Sequence, residues 1–94
     1  MLFKVKYKTV KFKKDLWLQN REERIYMVQD IIKNKLINGL NKKEVRKLFG
    51  FEFNDINSNI WSYYLGTKSS FFYTKHYLYV YFNDLGKVHK LIKK

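Results

Sequence analysis

The sequence contains no cysteine, no proline and no alanine, and only four glycines. Without cysteine, neither a disulfide framework nor a zinc site built on thiolates can form, so folding must depend on the burial of apolar side chains. The material for a core is present, because the chain has eight Phe, eight Tyr and two Trp, and each of these buries a large area. Ninety-four residues suit one core, and we predict a single domain over residues 1–94.

Long hydrophobic runs are also missing. No stretch of about eighteen apolar residues exists, so no membrane span is predicted. Lysine recurs at nearly every second position near the N-terminus, which leaves neither the apolar segment nor the small-residue cleavage site of a signal peptide. We therefore expect a cytoplasmic protein as given, or a cell-envelope protein if a leader has been removed.

Acidic residues are scarce, with eight Asp and Glu against twenty Lys and Arg, for a net charge of +12. This balance favours acidic partners, namely nucleic acid, an anionic membrane surface or an acidic protein. Only three of the cations are arginine, the residue that best grips phosphate groups. The abundance of Lys, Asn, Ile, Phe and Tyr is equally the bias of an AT-rich genome, so the charge is either a specific footprint or background.

The first residues alternate between apolar and basic side chains. Phe3, Val5 and Tyr7 fall on one face of an extended chain, and lysines fall on the other. This pattern predicts a half-buried strand over residues 2–8 with a solvated basic face.

Two helices are predicted to follow. The first spans about residues 21–36, because its apolar side chains keep helical spacing, and Gly39 ends the turn after it. The second spans residues 42–49, with Asn41 as N-cap and Glu44 completing a capping box. Gly50 then takes the position of a left-handed C-cap.

The second half of the chain reads as a β-meander. Strands are predicted at residues 60–65, 72–82 and 87–92, with a tight turn over residues 83–86 in which Gly86 supplies a positive φ. The expected fold is α+β in the order β-α-α-β-β-β, with two helices packed on one face of an antiparallel sheet. The predicted core consists of Val5, Trp17, Ile25, Val28, Ile32, Val45, Leu48, Trp61, Leu78, Val80 and Phe82.

Three motifs in this order resemble the SmpA/BamE-like family of small bacterial proteins, whose helix-helix-meander unit recurs in the β-lactamase inhibitor protein. They are Gly39-Leu40-Asn41-Lys42-Lys43-Glu44-Val45 with Leu48-Phe49-Gly50, then Trp61-Ser62-Tyr63-Tyr64-Leu65-Gly66, then Val80-Tyr81-Phe82-Asn83-Asp84-Leu85-Gly86-Lys87-Val88. A fourth stretch, Phe12-Lys13-Lys14-Asp15-Leu16-Trp17-Leu18 with Arg24, Met27, Val28 and Asp30, resembles a subset of such proteins, so the resemblance covers about residues 12–90. It implies a scaffold that binds other proteins. Phe51-Glu52-Phe53 stands where the family usually has proline, and a lipobox cysteine is missing, so an outer-membrane assembly role is not implied.

No catalytic constellation is apparent. His76 and His89 would fall near opposite positions if their strands pair, which leaves either a metal pair or two ordinary sheet histidines. The carboxylates have structural explanations as caps, first-turn residues or turn residues. The serines lie in no nucleophile elbow, and the glycines are too dispersed to cradle a phosphate. We therefore expect no enzymatic activity, no cofactor and no metal.

The function expected from these features is binding of an acidic protein, of inhibitor or immunity type, through exposed tyrosines steered by lysines. The oligomeric state is left open. The predicted contact residues are Tyr63, Tyr73, Tyr77, Tyr79, Tyr81, Lys4, Lys6, Lys8, Lys75 and Lys87. The alternative is a nucleic-acid-binding protein that uses the lysine-rich first strand and the tyrosine-lined sheet, since stacking beside a cationic groove holds single strands.

Overall fold

The computed structural model describes residues 9–68 and 74–94. In these ranges helices precede strands: α1 (Lys14–Gln19), a 3-10 helix (Arg21–Tyr26), α2 (Val28–Lys33), α3 (Lys42–Phe49), β1 (Ile60–Gly66), β2 (His76–Phe82) and β3 (Val88–Lys93). The predicted α+β class is confirmed. The predicted strand over residues 2–8, including the core residue Val5, lies outside the described residues. None of the helices in the described ranges is long and apolar enough to cross a bilayer.

The three strands form an antiparallel sheet in the order β1-β2-β3. The register places Tyr63 opposite Leu78 and Trp61 opposite Val80, so these side chains share one face, the inner face. All four are fully buried there. The 3-10 helix packs against β1. The opposite side of the sheet, the outer face, carries Tyr64, Tyr77, Tyr79 and Tyr81, which are only partly buried.

Aromatic rings join the helices to the inner face. Trp17 in α1 stacks on Phe49 in α3 at a centroid distance of 4.4 Å, and its indole nitrogen donates a 3.1 Å hydrogen bond to the Phe49 carbonyl oxygen. Tyr63 meets both rings edge-on, at 6.2 Å from Trp17 and 5.3 Å from Phe49. One strand and two helices therefore converge on a single aromatic cluster.

Most of the predicted core is confirmed. Seven of the predicted positions are buried, and Ile25 and Leu48 pack partly buried against them. Ile32 is wrong, since 37% of it is exposed while the neighbouring Ile31 is fully buried. The buried predictions are Trp17, Val28, Val45, Trp61, Leu78, Val80 and Phe82.

The predicted single helix over residues 21–36 is also wrong. A 3-10 helix ends at Tyr26, and α2 starts afresh at Val28, which turns Ile32 outward. Lys35 adopts a φ of 51°, and the Leu36 amide donates a 3.1 Å hydrogen bond to the Ile31 carbonyl. This six-to-one bond, with a left-handed residue inside it, is the Schellman stop, which here uses lysine in place of glycine. Helix α1 was not predicted.

Helix α3 begins as predicted. The Asn41 side chain accepts a 2.8 Å hydrogen bond from the Glu44 amide, and the Glu44 carboxylate accepts a 3.0 Å bond from the Asn41 amide. The reciprocal pair satisfies amides that a helix start would otherwise leave unpaired. Gly50 follows with a φ of 81°, a positive value that favours glycine, but its ψ of −178° lies outside the left-handed helical region that was predicted.

The meander is confirmed with shifted bounds. Strand β2 starts at His76, after residues 74 and 75, which are not in a strand. The predicted start at residue 72 lies outside the described residues. In the turn, Gly86 has a φ of 73° and its amide donates to the Asn83 carbonyl at 2.8 Å. The Asn83 side chain also accepts from the Lys87 amide at 3.0 Å, which fixes the return of the chain into β3.

Candidate partner-binding face

Four tyrosines form a continuous stripe on the outer face, and we call Tyr64, Tyr77, Tyr79 and Tyr81 the tyrosine stripe. Tyr64 on β1 pairs with Tyr77 on β2, and their rings meet edge-on at 5.8 Å. Tyr77 also contacts Tyr79, with ring centroids 6.4 Å apart. Alternation along β2 places Tyr81 next in the same row. Large aromatic rings thus follow the middle strand over its whole length.

Cations lie over these rings. The ammonium nitrogens of Lys94 and Lys90 are 5.3 Å from the ring centroids of Tyr79 and Tyr81 respectively. The guanidinium carbon of Arg21 lies 4.7 Å from the centroid of the Tyr64 ring. Each of these distances allows a cation–π attraction. The outer face is therefore aromatic and positively charged at the same positions.

The structure contradicts the prediction that Tyr63 contacts a partner. Tyr63 is fully buried on the inner face, and its hydroxyl donates a 2.8 Å hydrogen bond to the Gly50 carbonyl. Burial raises the pKa of the Tyr63 hydroxyl well above its usual range, because the phenolate would lie in a poorly solvated site. Tyr64, the next residue in the chain, takes the exposed position instead.

The remaining predicted contact residues are scattered. Tyr77, Tyr79 and Tyr81 lie together on the outer face, with Lys75 exposed beside Tyr77. Lys87 is exposed at the hairpin, at the opposite end of β2 from Lys75. Tyr73, Lys4, Lys6 and Lys8 lie outside the described residues.

The two histidines do not face each other, contrary to the prediction. His76 at the start of β2 pairs with Gly66 on β1. On the other side of β2, Tyr77 exchanges 2.9 Å backbone hydrogen bonds with Lys94, so this end of β2 lies against the end of β3. His89 lies near the start of β3, beside the shift in register after Val88. Among the described residues no group of three or more metal-ligating side chains forms a metal site.

A cleft of about 500 Å³ opens beside the Tyr64 end of the tyrosine stripe. Tyr64, Tyr77 and Phe53 supply aromatic walls. Arg21 and Lys75 line it as well, and Lys75 forms no ion pair within the described part of the chain. The volume is in the range of pockets that hold a small molecule or a few side chains.

The first carboxylate of the cleft, Glu22, is already engaged by the protein. It accepts a 2.6 Å hydrogen bond from the Tyr64 hydroxyl and a 3.1 Å bond from the Thr67 amide. These bonds lower the pKa of Glu22, and the bond to Tyr64 contributes most. A Cβ atom at Gly66 would come within 2.7 Å of the Glu22 carboxylate, so the glycine permits this close approach.

The second carboxylate, Glu52, is held by a buried arginine. Arg24 is only 3% exposed, and its guanidinium donates to Glu52 at 2.5 Å, to the Tyr64 carbonyl at 3.1 Å and to the Trp17 carbonyl at 2.8 Å. Glu52 also accepts a 2.6 Å bond from the Tyr64 amide. The acidic groups of the cleft are therefore committed to the fold, whereas Lys75 has no ion pair with any described residue.

The outward edge of β1 is closed by side chains. The Asn54 side chain bonds both the amide and the carbonyl of Ser62, at 3.0 and 3.1 Å. The Ser58 hydroxyl does the same for Ile60, and Glu52 with Arg24 does so for Tyr64. Because open strand edges invite pairing with another chain, this closure disfavours pairing along the β1 edge.

Sequence reasoning missed the contributions of Arg21, Phe53, Lys90 and Lys94. The register of the hairpin would have revealed Lys90, since it pairs with Tyr81. The register is not set by the turn motif alone, because the pairing shifts between Tyr81 and Phe82. Phe53 carries no sequence signal, since the segment around it lacks periodicity.

Comparisons with family models, with curated proteins and with solved structures give no match for this chain. The resemblance to the SmpA/BamE-like family therefore stays a prediction.

Proposed function

We propose that the protein is a non-enzymatic binding module whose outer face holds an acidic protein partner. The observation that carries this proposal is the tyrosine stripe, with a cation over the rings of Tyr64, Tyr79 and Tyr81. Tyrosine and arginine are among the residues that contribute most to protein interfaces, and a tyrosine ring buries a large area with little loss of conformational freedom.

The stripe is not required for the core, which supports a role in binding. The inner face of β2 supplies the buried side chains Leu78, Val80 and Phe82, while the tyrosines of the same strand stay partly exposed. Cross-strand tyrosines do stabilise sheets, but each such pair contributes only about 0.2–1 kcal/mol. A row of four rings, three of them with a cation over them, exceeds what the sheet needs.

Charge supports an acidic partner. The chain carries a net charge of +12. Four of its cations lie around the tyrosine stripe on the described outer face, namely Lys75, Lys90, Lys94 and Arg21. Complementary charge raises association rates and disfavours partners of the same sign. An inhibitor or immunity-type protein that acts on an acidic enzyme would have these properties.

Nucleic acid is the alternative, since aromatic rings beside cations also hold single strands. Base stacking needs accessible ring faces, however. The faces of Tyr79 and Tyr81 lie under ammonium groups at 5.3 Å, and Tyr77 contacts its neighbours at an angle. The arrangement therefore favours a protein partner over a stacked strand.

Affinity capture from the lysate of the source cell, with nuclease added and elution on a salt gradient, tests the proposal. The retained protein is then purified, and its affinity for the wild type is compared with its affinity for Tyr77→Ala/Tyr79→Ala. We expect an acidic protein that survives nuclease and moderate salt, and an affinity at least about 100-fold lower for the double variant, the loss typical of two hot-spot residues.

Two results would overturn the proposal. One is retention of nucleic acid alone, released early because phosphate binding falls steeply with salt. The other is a purified partner that binds the folded double variant as tightly as the wild type. Circular dichroism of the double variant separates loss of binding from loss of folding.

A further inference from the structure

The turn that carries Phe53 has an unusual backbone. Glu52 and Phe53 adopt φ values of 54° and 59°, and the Asn54 amide donates a 3.2 Å hydrogen bond to the Phe51 carbonyl. A four-residue turn with positive φ at both central positions strongly prefers asparagine and glycine there. A phenylalanine in this region is strained, because its Cβ atom crowds the backbone.

The strain at Glu52 has a structural compensation, but the strain at Phe53 has none. The turn directs Glu52 to Arg24 and to the Tyr64 amide, and it directs Asn54 to both backbone groups of Ser62. The Phe53 side chain lies between these two and is fully exposed. Asparagine or glycine at position 53 would relieve the strain and remove an exposed apolar ring, so phenylalanine destabilises the isolated protein.

The position of Phe53 beside the cleft indicates a role for its exposed ring in binding. Phe53 lines the same cleft as Tyr64 and Tyr77, and this cleft adjoins the tyrosine stripe. Leu85, another strongly exposed large apolar side chain among the described turns, lies at the hairpin, away from the cleft. Phe53 is therefore the exposed ring that extends the aromatic surface of the outer face.

We propose that Phe53 is an anchor side chain of the partner interface. An aromatic side chain of the partner binds in the cleft, and the Phe53 ring packs against it. This inference rests on the proposed function and names the chemistry that the cleft receives. Lys75 at the cleft, which forms no ion pair with a described residue, would pair with a carboxylate that flanks that ring. Arg21 also lines the cleft, where its Nε lies 3.6 Å from Glu52. The partner segment is therefore acidic and carries an aromatic residue.

Charge argues against a second copy of the chain in this role. Two molecules that each carry a net charge of +12 repel one another, and a cationic face brings the like charges close together. An acidic segment instead gains attraction from the same residues. The aromatic walls of the cleft then distinguish an acidic segment with a ring from one without.

Defined polypeptides test the inference without a known partner. Poly-L-glutamate and a glutamate–tyrosine copolymer of similar length and charge are titrated into the wild type, Phe53→Asn and Leu85→Asn. We expect the wild type to bind the copolymer about fivefold more tightly, as aromatic contacts of this kind provide. Phe53→Asn loses this preference and keeps its affinity for polyglutamate, while the control Leu85→Asn behaves as wild type.

Thermal unfolding gives a second readout. Phe53→Asn is expected to raise Tm by a few degrees, roughly 2–6 °C for a chain of this size, because it relieves the strain. A lower Tm would show that the ring supports the fold and would overturn the inference. So would a wild type without preference for the copolymer, or a Phe53→Asn variant that keeps the preference.

Two further outcomes are distinguishable. If the wild type self-associates in sedimentation experiments and Phe53→Asn does not, the anchor serves a second copy and the inference is wrong. If neither polypeptide binds while single-stranded oligothymidylate does, the proposed function fails and the inference fails with it. Binding of both polypeptides with equal affinity would contradict the anchor alone and leave the proposed function standing.

Discussion

Tyr63 and Tyr64 are neighbours in the chain, but they lie on opposite faces of the sheet. The Tyr63 ring is fully buried between Trp17 and Phe49, whereas the Tyr64 ring lies under Arg21 at the mouth of a cleft. The same side chain therefore serves the core in one position and a surface in the next. The difference comes from the alternation of the strand, not from the residue type.

The two faces also differ in how they use charge. Arg24 lies in the helical layer and is almost completely buried, with its donors committed to Trp17, Glu52 and Tyr64. Arg21, Lys90 and Lys94 lie against the outer tyrosines. The first kind of cation stabilises the fold, and the second kind lies on the surface that we propose binds a partner.

The largest expected effect separates two arginines that share Glu52. Arg24 is buried, while 55% of the Arg21 side chain is exposed and its Nε lies 3.6 Å from Glu52. Arg24→Ala should lower the free energy of unfolding by about 3–5 kcal/mol, because it leaves buried acceptors unpaired. The control Arg21→Ala should cost less than about 1 kcal/mol. Urea denaturation at pH 7 measures both, and equal losses would contradict the assignment of the two roles.

The next effect compares adjacent residues of β2. Val80→Ala removes two buried methyl groups from the inner face and should destabilise the protein by about 2 kcal/mol. Tyr79→Ala removes a larger side chain from the outer face but should cost less than about 1 kcal/mol. The free energy of unfolding is measured for both variants. A larger loss in Tyr79→Ala than in Val80→Ala would contradict the assignment of Tyr79 to the surface and of Val80 to the core.

A smaller effect is expected at the closed edge of β1. Asn54→Ala removes the partner of both backbone groups of Ser62 and should cost about 1–2 kcal/mol, because part-buried polar groups lose their hydrogen bonds. Hydrogen exchange of the Ser62 amide should accelerate in this variant. The nearby exposed Asn57→Ala is the control and should leave that amide unchanged. Unaltered exchange in Asn54→Ala would show that its side chain does not protect the edge.

The smallest effect depends on pH. The Tyr64 hydroxyl and the Thr67 amide keep the pKa of Glu22 below its usual range, so the folded state favours the carboxylate. The contribution of the Glu22 carboxylate to the free energy of unfolding is fully present above about pH 4.5, the pKa in the unfolded state. It is lost as the pH falls through the lower pKa of the folded state. Glu22→Gln should therefore be slightly less stable than the wild type at pH 7, and the gap should narrow in acid. A gap that stays constant from pH 7 to about pH 3 would contradict this account.

Local signals predicted the elements that local interactions determine. The capping box of α3, the turn at Gly86 and the alternation of β1 and β2 depend on residues within a few positions of each other, and all are present. The break in the first predicted helix depends on distant partners. Arg24 turns inward to Glu52 and Tyr64, which come much later in the chain. The spacing of apolar residues in the sequence does not predict such a contact.

The candidate site was only partly predictable for the same reason. Alternation along β2 placed Tyr77, Tyr79 and Tyr81 on one face, as the structure has them. The position of Tyr63 depends on which face of β1 the helices cover, and the sequence does not encode this locally. Phe53 lies in a turn whose shape is set by the contacts of its two neighbours with β1.

We propose that the inner face builds the fold and that the outer face binds an acidic protein. One measurement tests both parts: the affinity of the captured partner for the Tyr77→Ala/Tyr79→Ala variant, taken together with the circular dichroism spectrum of that variant. We expect an unchanged spectrum and an affinity lower by at least about 100-fold. An unfolded variant would show that the outer tyrosines belong to the core. A folded variant that binds as tightly as the wild type would show that the binding surface lies elsewhere.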